Sequence, residues 1–427
     1  MKAFLQRLLD LYVKTFTGLP RKVWLLSLVM LINRSGAMVV AFLSVYLIDK
    51  QDYAPITAGY VMAAFGAGGV LGNYLGGLLN DRYGSWHIQF YSMLGAGVLN
   101  VALGQVSAFW ALCGLAFSIS LVADAFRPAN RAAIAIYAPE GRLMQCYGLQ
   151  RLAVNLGFSI GPALGGYLIY NYGFELMFWG DGLTFILAGI IFRFAIPPDE
   201  TARPLVQREE ATGGAMGGGI ARAQTTPAHR QSWLLTFAVA NMFLMFCFFQ
   251  LFSTFPPYLK TGGFDERHVG WLFTISGIFI VLAEMPALYV IERRYKPIPV
   301  MLLGGSLIAL AFFLLPPALF TGFGALLTMM MILTLGEIFY MPLTNAYISA
   351  HAPAARRGEY LGLLSASYSA AFVLTPLVGF AVAEWYSYTA ACLLSATVCV
   401  LGVGLMWLSN RVRERAEAPP TLVAPGL

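Results

Sequence analysis

Several ionisable side chains lie inside long apolar stretches of the sequence, where an isolated charge is costly. Ionisable groups in such surroundings usually face a cavity or a partner and mark a path for protons or ligands. Their types predict proton uptake and ion binding, and no nucleophile or metal cluster accompanies them that would indicate an enzyme. These residues are Arg34, Asp124, Arg127, Arg131, Asp181, Glu284 and Glu337.

Glu337 is the first candidate for a proton site. It lies in the stretch LGEIFYMP, residues 335–342, among aromatic neighbours and with no cation within one helical turn. A carboxylate in apolar surroundings can load and release a proton near neutral pH. The alternative is a buried ion pair between Glu337 and Arg34. Glu284 has similar surroundings and is a second candidate for the coupling carboxylate.

Arg34 stands in the stretch LINRSGAMVV, residues 31–40. Arginine keeps its charge at physiological pH and binds carboxylate or phosphate groups in a bidentate way. Arg34 is therefore predicted to bind an anionic group of a substrate or to tune a protonatable carboxylate. Asp124 and Arg127 are three residues apart on one helical face and can pair with each other. Asp124 is accordingly predicted either to tune the proton site or to form a structural ion pair.

Aromatic and sulfur-containing side chains are concentrated in the stretch NMFLMFCFFQLFSTFPPYL, residues 241–259. Most are expected to face lipid, but some are expected to line a central cavity, where flat and flexible side chains suit varied amphipathic ligands.

Asp181 is expected in the outer half of its segment, in contact with water. The predicted polar substrate contacts are Asn130, Asn155, Gln250, Tyr340 and Asn345.

The sequence lacks motifs for other sources of energy. It contains no G-x-x-x-x-G-K-[ST] loop that would bind the phosphates of ATP. The four histidines are isolated and do not have the spacing of a metal site. No cofactor is therefore predicted, and a proton gradient is the expected energy source.

The elements that carry these residues are predicted to be transmembrane helices. The chain has 427 residues, of which 58% are hydrophobic and 11% charged, whereas a soluble domain carries about a quarter charged residues. Its apolar runs are long enough to cross a bilayer, which requires every backbone polar group to be paired internally, so an all-α integral membrane protein is predicted. The twelve predicted spans are residues 22–48, 56–79, 86–106, 109–136, 145–170, 174–196, 232–259, 268–291, 298–320, 323–350, 359–384 and 387–410.

The longest polar gap separates two sets of six spans. Residues 197–231 lack apolar periodicity, so they are predicted to form a flexible cytoplasmic linker between six-helix bundles at 22–196 and 232–410. Residues 1–21 have an amphipathic pattern, which predicts a segment on the inner membrane surface. Residues 411–427 are predicted to be a cytoplasmic tail with a disordered end.

Positive charge is concentrated on one side of the predicted topology. The inner segments carry most lysines and arginines, including Arg151, whereas the outer loops carry only Lys50, Lys260 and Arg267. By the positive-inside rule, both termini are cytoplasmic. This asymmetry accounts for the formal charge of +6 without a nucleic-acid partner. The protein is expected to be a multi-pass monomer of the inner membrane, whose partners are lipid, protons and a small-molecule substrate.

The two halves repeat each other. At a shift of 211 residues, Gly59 falls on Gly270 and Gly66 on Gly277. Two halves of the same topology predict a pseudo-two-fold axis along the membrane normal, with a ligand site between the halves. At a shift of 214 residues the matching pairs include Pro128 and Pro342, Arg142 and Arg356, Pro162 and Pro376, and Gly165 and Gly379.

Glycine and proline are concentrated in NLGFSIGPALGG, residues 155–166, inside an apolar segment. Glycine lets helix backbones approach closely in lipid. Three of the glycines share one helical face, and the proline removes one backbone hydrogen bond and bends the helix. A smooth, kinked helix that packs closely against a neighbour and slides there is predicted. The residues of this glycine motif are Gly157, Gly161, Pro162, Gly165 and Gly166.

Three stretches of the chain resemble motifs of the major facilitator superfamily. The glycine motif is similar to the fifth-helix motif of that superfamily's drug:proton antiporters. The loop GLLNDRYGSW, residues 77–86, resembles the signature G-x-x-x-D-R-x-G-R-K, although Ser85 and Trp86 replace the two basic residues. The stretch that contains Glu337 is similar to G-E-x-x-Y-x-P stretches in span 10 of some multidrug antiporters.

The resemblance covers essentially the whole chain and implies the superfamily's fold of twelve helices in two bundles. It implies that Asp81, followed by Arg82, steadies one conformer by holding the inner end of a helix from the other half. Arg142 or Arg356 would lie nearby. The alternative is that Asp81 and Arg82 simply form a tight surface turn. The glutamates of the E-x-x-E-R cluster of proton-coupled peptide transporters are missing before Arg34, which disfavours that branch.

Together these patterns predict a proton-coupled secondary transporter that exports amphipathic small molecules by alternating access. Glu337 is predicted to carry the proton, with Arg34 and Asp124 tuning the site and Asp81 gating the inner side. The alternative is a proton-coupled symporter of an anionic nutrient or peptide, with Arg34 as the anion clamp. A membrane enzyme or a receptor would not require two repeated halves with matched loops.

Overall fold

The computed structural model describes residues 16–198, 228–353 and 356–417, and within these ranges it is helical without a β-strand. The first half contains α1 Arg21–Ser35, α2 Met38–Val45, α3 Pro55–Tyr83, α4 Ser85–Leu103, α5 Phe109–Tyr137, α6 Leu143–Tyr172 and α7 Phe174–Ala195. The second half contains α8 Ser232–Phe249, α9 Phe255–Thr261, α10 Glu266–Arg294, α11 Pro297–Thr321, α12 Phe323–His351, α13 Arg357–Trp385 and α14 Tyr388–Glu417.

Eleven helical segments of the described chain are long and apolar enough to cross a membrane. The remaining long helix is α4, which has 19 residues and packs against α5 and α7 inside the first half. Large apolar side chains such as Leu71, Trp110 and Trp385 are exposed on the surface of the bundle, which suits contact with lipid. The predicted all-α membrane architecture of two bundles is confirmed.

The first span of each half is not one continuous helix. In the first half, α1 ends at Ser35 and α2 begins at Met38. In the second half, α8 ends at Phe249, and α9 begins at Phe255 after a 3₁₀ turn. The predicted spans 22–48 and 232–259 did not anticipate these two breaks.

The halves meet along two seams that the internal repeat relates to each other. In one seam α3 packs against α13, and a Cβ at Gly59 would lie 2.9 Å from the carbonyl oxygen of Pro376. In the other seam α10 packs against α6, and a Cβ at Gly270 would lie 2.6 Å from the carbonyl oxygen of Pro162. Both glycines and both prolines are pairs that the repeat superimposes. The pseudo-two-fold relation therefore extends to the contacts between the halves.

We name the two ends of the bundle by residues found there. The apical end carries Asp49, Lys260 and Glu266, and the basal end carries Arg21 at the start of α1. At the apical end, Lys260 pairs with Asp49 of the first half and, at 2.6 Å, with Glu266 of its own half. We call these three residues the apical latch, because they join the halves directly.

Further contacts keep the apical end closed. The N–H of Ile56 donates to Glu384 Oε2 at 2.8 Å, and the Arg267 guanidinium lies 3.4 Å from the centre of the Tyr170 ring. On the seam between α6 and α10 the contact continues to Gly148, where a Cβ would lie 3.4 Å from Met285. The halves are therefore closed together at the apical end.

The cation of the apical latch stays charged. Partial burial by itself lowers the pKa of the Lys260 ammonium group. The carboxylates of Asp49 and Glu266 have a larger, opposite effect, so the pKa of Lys260 lies above its ordinary value. Nearby, partial burial disfavours the carboxylate of Asp265, yet hydrogen bonds from Arg267 and His268 hold its pKa at about 2. A raised pKa means that Lys260 stays protonated up to a higher pH than an ordinary lysine. It is therefore charged at neutral pH and loses its charge only in alkaline solution.

Replacing Lys260 by methionine is expected to loosen the apical end. Methionine keeps an apolar stem but leaves Asp49 and Glu266 without their shared cation. We expect apical access to the bundle centre to rise about fivefold, which corresponds to roughly 1 kcal/mol. The measurement is the alkylation rate of a Val40→Cys variant by an impermeant maleimide added from the apical side. Lys50→Met, at an exposed neighbouring position, is the control, and equal rates in both variants would contradict the prediction.

The ends of the two halves differ in part from the predicted boundaries. The first half ends with α7 at Ala195, and the second begins with α8 at Ser232. The last helix continues to Glu417, into the predicted tail 411–427, whose end lies outside the described residues. Most of the predicted amphipathic segment 1–21 and of the linker 197–231 lies outside the described residues.

Candidate substrate and proton site

A cavity, which we call the central cavity, lies beside the helices of the first half. Its wall is formed by residues of α1 to α7, and Phe372 of α13 contributes from the second half. Charged and aromatic side chains face the same space, which suits an amphipathic ligand. Lining residues that matter here are Arg34, Asp124, Arg127, Phe158, Asp181 and Phe372.

An apolar cavity lies on the apical side of this central cavity. Its lining includes Phe65, Phe249, Phe252 and Phe372, so residues of both halves form it. The rings of Phe249 and Phe372 meet edge to face with their centres 4.8 Å apart. These aromatic rings separate the central cavity from the apical latch. Phe249 and Phe252 belong to the aromatic stretch 241–259, part of which was predicted to face a cavity.

Arg34 is held at the central cavity by close packing of α1 on α6. It lies in the last turn of α1, and a Cβ at Gly157 would lie 2.5 Å from the Cβ of Arg34. The guanidinium lies 5.7 Å from the centre of the Phe158 ring. Among the residues that the structure describes, Arg34 forms no ion pair, so the alternative of a buried pair with Glu337 is not realised. The guanidinium is available to a ligand.

The predicted pair of Asp124 and Arg127 is confirmed. Arg127 Nε lies 2.8 Å from Asp124 Oδ1 on the same face of α5. The side chain of Arg127 is 43% exposed although it lies in the middle part of a long helix, which shows that the cavity is open to solvent. Because Asp124 has a cation on its own helix, it does not neutralise Arg34.

Asp181 is buried, at 2% exposure, and does not contact water as predicted. Its carboxylate accepts hydrogen bonds from the N–H groups of Met38 at 3.3 Å and Val39 at 3.1 Å. These groups begin α2, where backbone donors lack partners within the helix and a negative charge is favourable. Asp181 therefore caps the second part of the broken span from a different helix, and it fixes the break that follows Arg34.

The second half uses the equivalent position. Ser395 of α14 corresponds to Asp181 at the shift of 214 residues, and the Nε2 of Gln250 donates to its hydroxyl at 3.0 Å. The Oε1 of Gln250 accepts hydrogen bonds from Ser253 at 3.1 Å and Thr254 at 2.6 Å, within the break between α8 and α9. In each half, the sixth span thus fixes the break in the first.

Replacing Asp181 by leucine is expected to destabilise the protein by about 1–3 kcal/mol, because two buried N–H groups lose their acceptor. Asp181→Asn should cost less, since its amide oxygen still accepts a hydrogen bond. Thermal unfolding of the purified protein measures both effects. Glu175→Leu, at an exposed position of the same helix, is the control. Equal stability of Asp181→Leu and the wild type would contradict a capping role.

Glu337 lies half-buried on α12, where it faces the other half of the protein. The charges close enough to act on it are Glu284 of α10 and Arg151 of α6, and Tyr368 of α13 lies in the same group. In the described ranges, Glu337 forms neither a hydrogen bond nor an ion pair. It is therefore a carboxylate that can bind a proton without breaking an existing contact.

Arg151 is a site residue that the sequence-based prediction missed, since it counted there only as a charge of the inner segments. It lies inside α6, and its Nε is 2.5 Å from Glu284 Oε1 of the other half. One turn further along α6, the Asn155 amide donates to Glu284 Oε2 at 3.0 Å. The signal in the sequence is Arg151 and Asn155 spaced four apart in an apolar helix, and hence on one face.

The predicted polar contacts fall into two groups. Asn155 lies at the seam between the halves, and Asn345 is exposed on α12. Asn130, Gln250 and Tyr340 are buried, hydrogen-bonded within one half, and absent from the lining of both cavities. The structure thus places these three in the scaffold, because their polar groups are already satisfied. Their partners are Gln89 and Gln150 for Asn130, Ser395 for Gln250, and Asn241 for Tyr340.

The glycine motif packs α6 against both parts of the broken first span. A Cβ at Gly161 would lie 3.1 Å from the carbonyl oxygen of Ser35, at the break, and Gly165 packs against α2. Gly166 faces the other half, where a Cβ would lie 2.3 Å from the carbonyl oxygen of Glu266. The predicted close packing is confirmed, and its partners are the first span and the start of α10.

The loop after α3 is not engaged with the other half in this conformer. Asp81 accepts a hydrogen bond from the neighbouring Asn80 at 3.3 Å, and it forms no ion pair within the described part of the chain. Arg142 donates to a backbone carbonyl at 2.9 Å, and Arg356 pairs with Glu359 at 3.0 Å. The gating role of Asp81 and Arg82 stays a prediction for a conformer in which this loop meets the other half.

The arrangement of two repeated bundles around a central cavity leads to a comparison with known families. The family model described as Major Facilitator Superfamily matches residues 23–268 and 255–425. The chain belongs to this superfamily. As a member of the superfamily it is a multi-pass membrane transporter, and the predicted resemblance is confirmed.

Relatives of this transporter differ in what their names say they move. The Na(+), Li(+), K(+)/H(+) antiporter of Planococcus maritimus is 23% identical over 417 residues, which cover 90% of this chain and 95% of that protein. Multidrug resistance protein MdtG of Dickeya zeae is 22% identical over 389 residues, which cover 89% of this chain and 92% of that protein. The uncharacterized transporter YqjV of Bacillus subtilis is 23% identical over 350 residues, 80% of this chain and 81% of that one.

Solved structures support the fold. A POT family transporter in complex with 5-aminolevulinic acid has a TM-score of 0.78 at 14% identity, covering 93% of this chain and 98% of that one. A bacterial homologue of the human lysosomal transporter Spinster, in an inward-facing and unoccupied conformation, has a TM-score of 0.74 at 14% identity. At this level of identity the likeness concerns the fold alone.

Proposed function

We propose that this transporter exports amphipathic small molecules in exchange for protons. The observation that carries the proposal is Glu337, a half-buried carboxylate at the interface of the halves with no partner among the described residues. A group in this position can take a proton when the interface faces one side and release it when the interface faces the other. Two relatives, a cation/proton antiporter and a multidrug resistance protein, are consistent with such an exchange.

The composition of the central cavity supports an amphipathic substrate. Phe158 and Phe372 supply apolar area, and Arg34 together with the Asp124–Arg127 pair supplies polar contacts. Aromatic faces accept many different apolar groups, because their contacts depend on area more than on a fixed pattern of hydrogen bonds. A site of this kind binds a class of compounds and does not require a single substrate.

The direction of transport follows from the orientation that we propose for the bundle. Basal positions such as Arg21, Arg193 and Arg356 are cationic, whereas apical cations are few, so the basal end faces the cytoplasm by the positive-inside rule. The conformer described here would then admit a substrate from the cytoplasm. Proton uptake on the apical side and release into the cytoplasm would drive its export.

Arg34 favours a second candidate, a proton-coupled symporter of an organic anion. Its guanidinium lines the cavity without an ion pair in the described chain, while Asp124 is already paired with Arg127. A carboxylate of a substrate would complete the coordination of Arg34 in a bidentate way. In this case the proton on Glu337 and the anion on Arg34 would cross together.

The two candidates are separated in inside-out vesicles with an acidified lumen and a lumenal pH indicator. Antiport predicts that tetraphenylphosphonium, ethidium or an aromatic carboxylate added outside alkalinises the lumen, because the compound enters as protons leave. Symport predicts alkalinisation only when the compound is loaded inside, since compound and proton leave together. Vesicles without the protein give the baseline. A response restricted to compounds loaded inside would overturn the export proposal.

A further inference from the structure

The ion pair between Arg151 and Glu284 lies beside the proposed proton site and has no part in the proposal so far. Arg151 belongs to the first half, and both Glu284 and Glu337 belong to the second. One guanidinium therefore stands opposite two carboxylates at the seam between the halves. If both carboxylates were ionised, one negative charge of this group would remain uncompensated.

The contacts of the two carboxylates are unequal. Glu284 is 3% exposed, and it is held by Arg151 at 2.5 Å and by the Asn155 amide at 3.0 Å. A cation and one hydrogen-bond donor on the same carboxylate stabilise its ionised form, and a buried carboxylate without a cation would be costly. Glu337 has neither partner. The geometry thus assigns the ionised state to Glu284 and leaves Glu337 as the group able to bind a proton.

The helices packed around Glu337 bring few other titratable groups to it. On α10 the group is Glu284, on α6 it is Arg151, and on α13 it is Tyr368. The helix α11, which makes the most extensive contact with α12, contains no ionisable residue between Pro297 and Thr321. Arg151 is thus the cation whose charge the two carboxylates share.

We propose that Arg151 is a positioning residue for the coupled proton: by pairing with Glu284 it keeps that carboxylate ionised, and so it selects Glu337 as the proton carrier. This inference rests on the proposed proton coupling, but the choice between the two carboxylates can be measured without transport. Asn155 contributes to the same selection through its hydrogen bond to Glu284.

The experiment is a pH titration of the protonated-carboxyl C=O band in the infrared spectrum of the full-length protein in lipid nanodiscs. In the wild type, one component of this band with a single midpoint is expected to belong to Glu337, and this component should be lost in Glu337→Gln. Arg151→Gln should move the midpoint to more alkaline pH by about one pH unit or more, because the carboxylates lose their shared cation. Glu284→Gln should move it to more acidic pH, because Arg151 is then free to neutralise Glu337.

The double variant Arg151→Gln/Glu284→Gln removes both partners of the ion pair, so it does not leave Glu284 buried without a cation and remains informative if Arg151→Gln does not fold. Its midpoint should fall between those of the two single variants. Arg131→Gln is the matched control, an arginine of the same half on α5 that lies outside this group. Its midpoint should equal that of the wild type.

Shifts in opposite directions for Arg151→Gln and Glu284→Gln support the inference, because a purely structural role of Arg151 would not produce them. An unchanged midpoint of this component in folded variants, or a Glu337→Gln spectrum equal to that of the wild type, overturns it. The proposed function is tested separately, by the vesicle assay. If the infrared band behaves as expected but the vesicles show no proton-coupled transport, the role of Arg151 is supported and the proposed exchange reaction is wrong.

Discussion

Replacing Glu337 by glutamine is expected to abolish proton-driven transport, down to the level of vesicles without the protein. Glutamine has nearly the same shape but cannot take up and release a proton. Exchange of substrate between two sides at equal pH should continue, because Arg34 and the aromatic walls of the cavity are unchanged. The measurement is lumenal pH in acid-loaded inside-out vesicles, beside exchange of a labelled compound across the same membrane.

Folding should survive this substitution. Glu337 forms no hydrogen bond or ion pair in the described part of the chain, so glutamine removes no existing contact. A change in the free energy of unfolding of less than about 1 kcal/mol is therefore expected. Glu337→Asp, which keeps a proton-binding group, should retain part of the transport. Glu175→Gln, at an exposed apical position, is the matched control and should behave as the wild type.

Persistent proton-driven transport in Glu337→Gln would transfer the role to another carboxylate. Glu284 would be the next candidate, but its contacts with Arg151 and Asn155 would have to break before it could bind a proton. Asp124 would require the same of its pair with Arg127. The ordering of these candidates follows from their partners, which only the three-dimensional arrangement reveals.

The helical spans were predictable because the bilayer imposes a simple rule on sequence. Long apolar runs must form helices there, since backbone polar groups find no other partner. The internal repeat was also visible, and the structure extends it to the seams, where Gly59 and Gly270 occupy equivalent contacts with Pro376 and Pro162. Local composition and periodicity therefore carried most of the fold.

The breaks in the first and seventh spans were not predictable from local sequence. The break after Ser35 is fixed by the carboxylate of Asp181, which accepts a hydrogen bond from the N–H group of Val39, 142 residues away. The break after α8 depends on Gln250 and on Ser395 of the last helix. Local propensity is a weak guide where a distant side chain supplies the missing hydrogen-bond partner.

The site itself was predicted in part for the same reason. Arg34, Asp124 and Glu337 were found because a charge inside an apolar segment is conspicuous by itself. The role proposed for Arg151 depends on Glu284, which belongs to the other half. The sequence alone does not show this contact, so Arg151 was counted there only among the charges of the inner segments. The polar groups of Asn130 likewise appeared available, until the structure showed them satisfied inside the first half.

The glycine motif carries the second large effect that we expect. Gly166 lets α6 approach the start of α10, where a Cβ would lie 2.3 Å from the carbonyl oxygen of Glu266. A backbone carbonyl in a helix cannot give way as a flexible side chain can. Gly166→Val should therefore hold the halves apart at the apical end, and overpacking of this kind costs about 1–3 kcal/mol.

Destabilising the apically closed conformer by that amount would raise the population ratio of apically open to apically closed protein roughly 5- to 150-fold. Transport should fall at least about tenfold, since both conformers must be visited in each cycle. The alkylation of Val40→Cys from the apical side should rise at the same time. A Cys113→Ser background suits this measurement, because the other four native cysteines are buried.

Gly114→Val separates this effect from a general intolerance of valine in a membrane helix. Gly114 is also a helical glycine, but apart from its own stretch of helix no described atom lies within 4 Å of the position that its Cβ would take. Transport and apical access in that variant should match the wild type. If Gly166→Val lost transport without a rise in apical access, the glycine would serve the packing of α6 and not the closure of the apical end. A rise in access restricted to Gly166→Val would instead make the approach of α6 to α10 the step that shuts the apical side.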